Sequence, residues 1–286
     1  MYSIKYEIRS GFYGGNKDKV LRLLSEFEQA CDFPEKTDLI FENGIKKLNI
    51  KDLLYAVGYL KIYVCGNEYV FERVLVSEEP ALQIFTSFDF KRIIVRFESA
   101  MVKKRLKQLF NLLIYPLYQC FRYKLVYEGK MLLHCSCVVY KDEGILFIGN
   151  SGVGKSTQAS LWIEKMDAFV LDYDKVGLFF RHKRIYALGS PWAGKENVYI
   201  NACVPVKLIV FLEQSKNNKV INISSAESFG RICLTNYLFP LTFELEEKYY
   251  DLIHKLAEST RAVIFQCTKT DEAVEALGQY IKEMEE

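Results

Sequence analysis

The chain is 286 residues long, half of them hydrophobic and 14% aromatic, which supplies a large core and excludes an extended disordered chain. That length exceeds one compact domain of ordinary size and fits two packed modules. Lys and Arg number 38 against 36 Asp and Glu, a formal net charge of +2, so nucleic acid is not an expected partner.

The opening residues Met1-Tyr2-Ser3-Ile4-Lys5-Tyr6-Glu7 have no apolar core behind basic residues, and Tyr2 stands where a myristoylation signal requires glycine, so a cytoplasmic protein is expected. Residues 1–98 read as a β-rich module. Aromatic and β-branched runs predict strands over 2–8, 38–41, 60–65, 69–76, 82–85 and 92–97, with Gly66-Asn67 as a hairpin turn. A helix is predicted over 18–31, where Val20, Leu23, Leu24 and Phe27 recur at helical spacing behind Asp18 as cap. No catalytic cluster stands out in this module, which is read as a scaffold or recognition unit.

A helix over 99–123 carries Val102, Leu106, Leu109, Leu113 and Leu117 three or four apart, and residues 99–130 are expected to link the two modules, with Pro116 kinking or breaking the helix. Its apolar part, 109–121, follows the basic run Lys103-Lys104-Arg105 but contains Asn111, Pro116 and Gln119. That is too short and too polar to span a membrane, and it reads as core; no membrane partner is expected. The eight cysteines lack C-x-x-C spacing, against a zinc or dithiol site. Cys135 and Cys137, two apart on a predicted strand, read as small buried residues of one face.

Residues 131–286 change to α/β grammar. Strands are predicted over 132–140, 144–148, 169–172, 177–180, 206–213 and 262–267, and helices over 156–165, 226–237, 246–258 and from Asp271 on. Ser224 and Glu227 have the spacing of a capping box.

Between the strand at 144–148 and the helix at 156–165 stands Gly149-Asn150-Ser151-Gly152-Val153-Gly154-Lys155-Ser156-Thr157, the pattern G-x-x-x-x-G-K-[ST]. Its glycines let backbone N–H groups wrap phosphate oxygens. Lys155 is expected at the β- and γ-phosphates, Ser156 on Mg²⁺, and the helix dipole behind them, so ATP and Mg are the expected cofactors. Asp172-Tyr173-Asp174 ends the next apolar strand. On extended backbone Asp172 and Asp174 would share a face, one for the metal and one for an incoming hydroxyl's proton, with Asp174 taken as the metal ligand. The competing reading of this tripeptide is a solvated turn.

At these residues the chain resembles the C-terminal catalytic domain of HPr serine kinase/phosphorylase and the HPr-kinase-like proteins related to phosphoenolpyruvate carboxykinase. His134 stands 15 residues before Gly149, as a histidine does in that family. Tyr173-Asp174-Lys175 matches the family's Asp-Asp-basic run at its last two positions, with Tyr173 replacing the first Asp. Gly189-Ser190-Pro191-Trp192-Ala193-Gly194-Lys195 is similar to a Gly-[ST]-Pro-Trp-[SA]-Gly loop of the wider set.

The resemblance, over about 132 to the C-terminus, implies an α/β P-loop domain of the HPr-kinase/carboxykinase type behind a β-rich N-terminal module. It implies phosphoryl transfer from ATP to a hydroxyl, with Ser or Thr of a protein or peptide as the favoured acceptor. Asp174, Asp172, His134 and Lys155 are then the catalytic candidates, and Trp192 and Lys195 join the P-loop at the nucleotide. A buried, satisfied histidine is the competing reading of His134, and a packing corner that of Trp192. Tyr173 also leaves open a nucleotide-binding sensor or scaffold that has lost transfer. A carboxykinase-like enzyme ranks last, because a second metal constellation is not visible. The resembled kinases are hexamers, but interface residues do not separate from core residues in one sequence, so an oligomer is possible and the oligomeric state stays open.

Overall fold

The computed structural model describes residues 3–8, 36–48, 52–97, 106–190, 192 and 198–286. The helix expected over 18–31, the basic run at 103–105, the start of the helix expected from 99, and Lys195 lie outside them. The fold is mixed α/β, with fifteen strands and five helices among the described residues. It divides into two compact units: Met1–Glu128 with Phe239–Leu245, and Gly129–Leu238 with Glu246–Glu286.

The first unit is built on one seven-stranded sheet. Its strands are β1 (Ser3–Ile8), β2 (Lys36–Asn43), β3 (Asp52–Val57), β4 (Leu60–Cys65), β5 (Glu68–Val74), β6 (Pro80–Ser87) and β7 (Arg92–Phe97), in the order β1-β2-β7-β6-β5-β4-β3. The first two pairings are parallel and the rest antiparallel. Register makes rows across the sheet. Ile40, Ile94, Phe85, Val70 and Tyr63 are successive partners, as are Phe41, Val95, Ile84, Phe71 and Ile62. Both rows are buried, so adjacent residues Ile40 and Phe41 bury opposite faces.

Helix α1 (Leu106–Tyr127) contributes Tyr123 against Phe71 and Tyr127 against Phe90, with ring centroids 5.8 and 6.0 Å apart. It continues through Pro116, so of the kink or break expected there a break is excluded. A proline withdraws one N–H from the ladder, and the turns after it are held by buried Leu117, Cys120, Phe121, Leu125 and Val126. Phe239 closes this unit: its ring stacks on Tyr55 at 4.0 Å and its carbonyl accepts the Tyr123 hydroxyl at 2.7 Å. No described helix is long and apolar enough to cross a membrane.

The second unit carries β8 (Lys130–Tyr140), β9 (Glu143–Ile148), β10 (Phe169–Asp172), β11 (Lys175–Arg181), β12 (Arg184–Leu188), β13 (Cys203–Gln214), β14 (Lys219–Asn222) and β15 (Arg261–Cys267). The helices α2 (Lys155–Lys165), α3 (Ser225–Thr235), α4 (Phe243–Ser259) and α5 (Asp271–Glu283) interleave with them. The long strands β8 and β13 each serve three neighbours: β8 pairs β9, β10 and β11, and β13 pairs β9, β12 and β15. A circuit β8-β11-β12-β13-β9 therefore closes on itself, with β15 and β14 continuing beyond β13.

The parallel strands β9, β13 and β15 are covered by α2 and α5. Trp162 and Ala159 of α2 and Val274, Leu277 and Ile281 of α5 bury against Phe147, Val210 and Phe265, so the apolar strands read as near-continuous hydrophobic runs. The carboxyl ends of these three strands share one end of the sheet, the usual place for a ligand in an α/β fold. At Ser224 only half of a capping box forms: its hydroxyl accepts from Glu227 N–H at 3.2 Å, while the Glu227 carboxylate takes Arg231 at 3.0 Å instead.

Candidate functional site

The loop at 149–154 leaves β9 and enters α2. Gly149 is dictated by space, because a Cβ there would stand 2.8 Å from Val153 Cγ1. Gly152 and Gly154 are dictated by backbone, with φ of 79° and 117°, a region that penalises any side chain. Gly154 caps α2 without a side-chain bond, so the first N–H groups of the helix face outward uncapped. Lys155 is buried, and its Nζ donates to Gly149 O at 2.9 Å and Asn150 O at 3.3 Å. Its third proton has no partner among the described residues. Burial pulls this ammonium below the ordinary lysine range, against the opposing field of Asp174. Asn150, Ser151 and Thr157 are exposed and Ser156 is half-buried. The Ser156 and Thr157 hydroxyls meet no protein partner among the described residues.

One flank of the loop is built by β8, β10 and β11. Cys135 pairs Ile148, and His134 pairs Lys175, so register alone sets His134 beside Gly149. The His134 N–H donates to Asn236 Oδ1 at 2.5 Å. Its Nδ1 lies 2.8 Å from Asp174 Oδ1 and 2.5 Å from Lys175 Nζ, and the two latter atoms are 2.9 Å apart. Nδ1 donates to Asp174 in one tautomer and accepts from Lys175 in the other. Burial raises the Asp174 carboxyl, but the His134 hydrogen bond and the Lys175 charge outweigh it and hold it at about 2. Asp174 is therefore an ionised carboxylate in a ring of three charged or polar heads.

Asp172 is placed differently from the sequence expectation. β10 ends at Asp172 and residues 173 and 174 bend before β11, so the two carboxylates do not share a face of extended chain. Asp172 is wholly buried: Oδ1 accepts from Asp174 N–H at 2.8 Å and Lys175 N–H at 3.0 Å, and Oδ2 from Ser190 N–H at 2.8 Å. Burial pushes its carboxyl up to about 7, against those three donors. These bonds tie the turn that carries Asp174, as an aspartate with backbone partners does. Tyr173 packs on the core, and its carbonyl accepts the Ser136 hydroxyl at 2.7 Å.

Gly189 lets this corner close, because a Cβ there would lie 2.3 Å from Ile200 O and 2.9 Å from Leu171 O. The Ser190 hydroxyl donates to Lys175 O, and Trp192, nearly buried, donates its backbone N–H to that hydroxyl at 3.3 Å. Cys135 and Cys137 are fully buried, and no group of three or more His, Cys, Asp or Glu is arranged to hold a metal among the described residues.

The other flank belongs to β13 and β15, and the sequence reading did not find it. Gln214 Nε2 donates to Gly152 O at 3.1 Å and Val153 O at 3.3 Å, which engages two carbonyls of the loop. Lys269, two residues past β15, lies along Gly154. The only signal for either was position, Gln214 as the last residue of one apolar strand and Lys269 just beyond the end of another.

No protein-family model and no curated protein matches the chain. Among solved structures, the Hpr(Ser) kinase/phosphatase from Coxiella burnetii is similar at 13% identity, over 55% of this chain and 99% of that one, with a TM-score of 0.35.

Proposed function

We propose that the chain is an ATP- and Mg²⁺-dependent kinase of the cytoplasm that passes a phosphoryl group to a hydroxyl, with Ser or Thr of a protein or peptide as acceptor. The observation that carries this reading is the strand register that seats His134, Asp174 and Lys175 directly beside the loop of Gly149 and Lys155. The nucleotide fits the residues present: Gly149, Gly152 and Gly154 line a cradle that side chains would fill or strain, and Lys155 holds one unpartnered proton. Bound there, ATP with Mg²⁺ supplies the phosphoryl group and neutralises charge on its oxygens.

The chain's own residues do the rest. Backbone N–H groups of the loop and the Lys155 ammonium would bind phosphate oxygens, and the Ser156 hydroxyl and Asp174 would hold the metal. Asp174, its Oδ1 held by His134 Nδ1 and Lys175 Nζ, is the carboxylate that would accept the proton of an incoming hydroxyl. A carboxylate held near 2 is a weak base, and phosphoryl transfer through a loose transition state asks little of one. Trp192 and Lys195 complete the nucleotide's surroundings in this reading, and Asp172 positions Asp174. An intracellular setting agrees with the described cysteines, all of which are free thiols.

Two observations favour a second reading, a nucleotide-binding sensor without transfer: Asp174 is already paired to Lys175, and Tyr173 packs against the core. Incubation with γ-labelled ATP, Mg²⁺ and cell extract separates the two. Label on a serine or threonine that disappears in Lys155→Ala and in Asp174→Asn supports the kinase. Tight nucleotide binding with no labelled acceptor under any condition refutes transfer and leaves the sensor.

A further inference from the structure

Lys269 stands on the β13–β15 flank of the loop, across from His134 and Asp174. Its Cε is the nearest atom, at 3.9 Å, to the place where a Cβ on Gly154 would be. The segment that carries it is fixed by its neighbours. Ser215 N–H donates to Cys267 O at 3.0 Å, and Gln158 Nε2, from α2 itself, donates to Thr268 O at 3.0 Å. The Thr268 N–H and hydroxyl both reach Asn218 Oδ1, at 2.8 and 3.2 Å. The nearby carboxylate of Asp271 is taken by Lys165 at 2.5 Å, so the exposed Lys269 ammonium has no carboxylate partner among the described residues.

Direction follows from the two flanks. The reacting end of a polyphosphate belongs beside His134 and Asp174, which adjoin Gly149 at the start of the loop. A chain of phosphates bound along the loop then runs toward Gly154 and the first turn of α2, where the dipole also favours negative charge. Lys269 lies at that second end. We propose that Lys269 is a nucleotide-binding residue whose ammonium contacts the α-phosphate of a nucleoside di- or triphosphate, at the end remote from transfer. The inference rests on the nucleotide-binding reading of the loop given above.

Titration of the full chain with Mg·ATP and with Mg·ADP, comparing Lys269→Ala, Lys269→Glu and Lys269→Arg, tests it. Because both nucleotides carry the α-phosphate, Lys269→Ala should weaken both by the same factor, roughly tenfold for a lost charged hydrogen bond. Lys269→Glu should weaken them further, Lys269→Arg should hold near the native affinity, and the melting temperature should not move in any of them. Native binding of both nucleotides with unchanged affinity in Lys269→Ala overturns the assignment alone. Weakening of ATP with ADP unaffected also overturns it, since the lysine would then serve the γ-phosphate. Failure of the native chain to bind either nucleotide overturns the reading of the loop and this assignment with it.

Discussion

Gly189→Ala adds one carbon where two backbone oxygens already stand, at 2.3 Å for Ile200 and 2.9 Å for Leu171. Ordinary carbon–oxygen contact needs about 3.3 Å, so the strand end at Leu171 and the segment at Ile200 must part by roughly 1 Å. They are joined by the Ile200 N–H bond to Leu171 O at 2.8 Å and by the Asp172–Tyr199 bridge, and Asp172 takes the Ser190 N–H at 2.8 Å. Overpacking against backbone costs about 1–3 kcal/mol, and leaving the buried Asp172 short of a donor adds about 1–3 kcal/mol.

A total near 2–6 kcal/mol should lower the urea midpoint by roughly 1–3 M at a slope of about 2 kcal/mol/M. Both tryptophans of the chain, Trp162 and Trp192, lie in the second unit, so selectively excited tryptophan emission reports on that unit. Because Asp172 also holds the N–H groups of Asp174 and Lys175, phosphoryl transfer should fall further than nucleotide affinity. A midpoint shift below about 0.5 M would refute the packing argument.

The two aspartates should mark the stability profile in opposite ways. Asp174, held at about 2 against an ordinary 3.8, contributes stability that is present above the unfolded value and is lost as pH falls from about 4 toward 2; Asp174→Asn should flatten that acid limb in unfolding followed by circular dichroism, and an unchanged limb sinks the assignment. Asp172, raised to about 7, keeps a proton in the folded state that the unfolded chain releases, so its contribution falls as pH rises through the window from about 4 to 7; Asp172→Asn should remove that decline. Gly149→Ala should weaken nucleotide binding because its Cβ meets Val153 Cγ1 at 2.8 Å, and Val153→Ala in the same chain should restore it; no rescue would mean the backbone rather than the side chain is at fault. Gln214→Ala frees two loop carbonyls and should weaken nucleotide binding about fivefold with no change in melting temperature; a thermal loss without an affinity loss would assign Gln214 to the fold alone.

Local patterns were legible where one physical rule dominated. The strands at 60–65, 92–97 and 169–172 coincide with β4, β7 and β10, because β-branched and aromatic runs bounded by turn residues leave few alternatives. β3, β12 and β14 were not read. Asp52-Leu53-Leu54-Tyr55 and Lys219-Val220-Ile221-Asn222 mix polar and apolar residues, and their strands lie at sheet edges where only tertiary pairing decides. At the candidate site, glycine and lysine spacing announced the loop, and the 15-residue interval to His134 now has a geometric cause: one hairpin returns β9 beside β8. The roles of Asp172 and Gln214 were not legible, since a bend after Asp172 and a side chain reaching 62 residues back to Gly152 depend on strands meeting in space.

The first unit takes its last segment, Phe239–Leu245, from beyond nearly all of the second unit's strands. On the ribosome, where chains fold as they emerge, Tyr55 and Tyr123 must wait for Phe239 until 110 intervening residues, Gly129–Leu238, have been made. Both units are interrupted in sequence: the first is complete only at Leu245, and the second, which still needs β15 and α5, is completed after it. A chain cut after Glu128 would lack the ring that stacks on Tyr55 and the carbonyl that receives the Tyr123 hydroxyl, so the two units are unequal under truncation although each is compact.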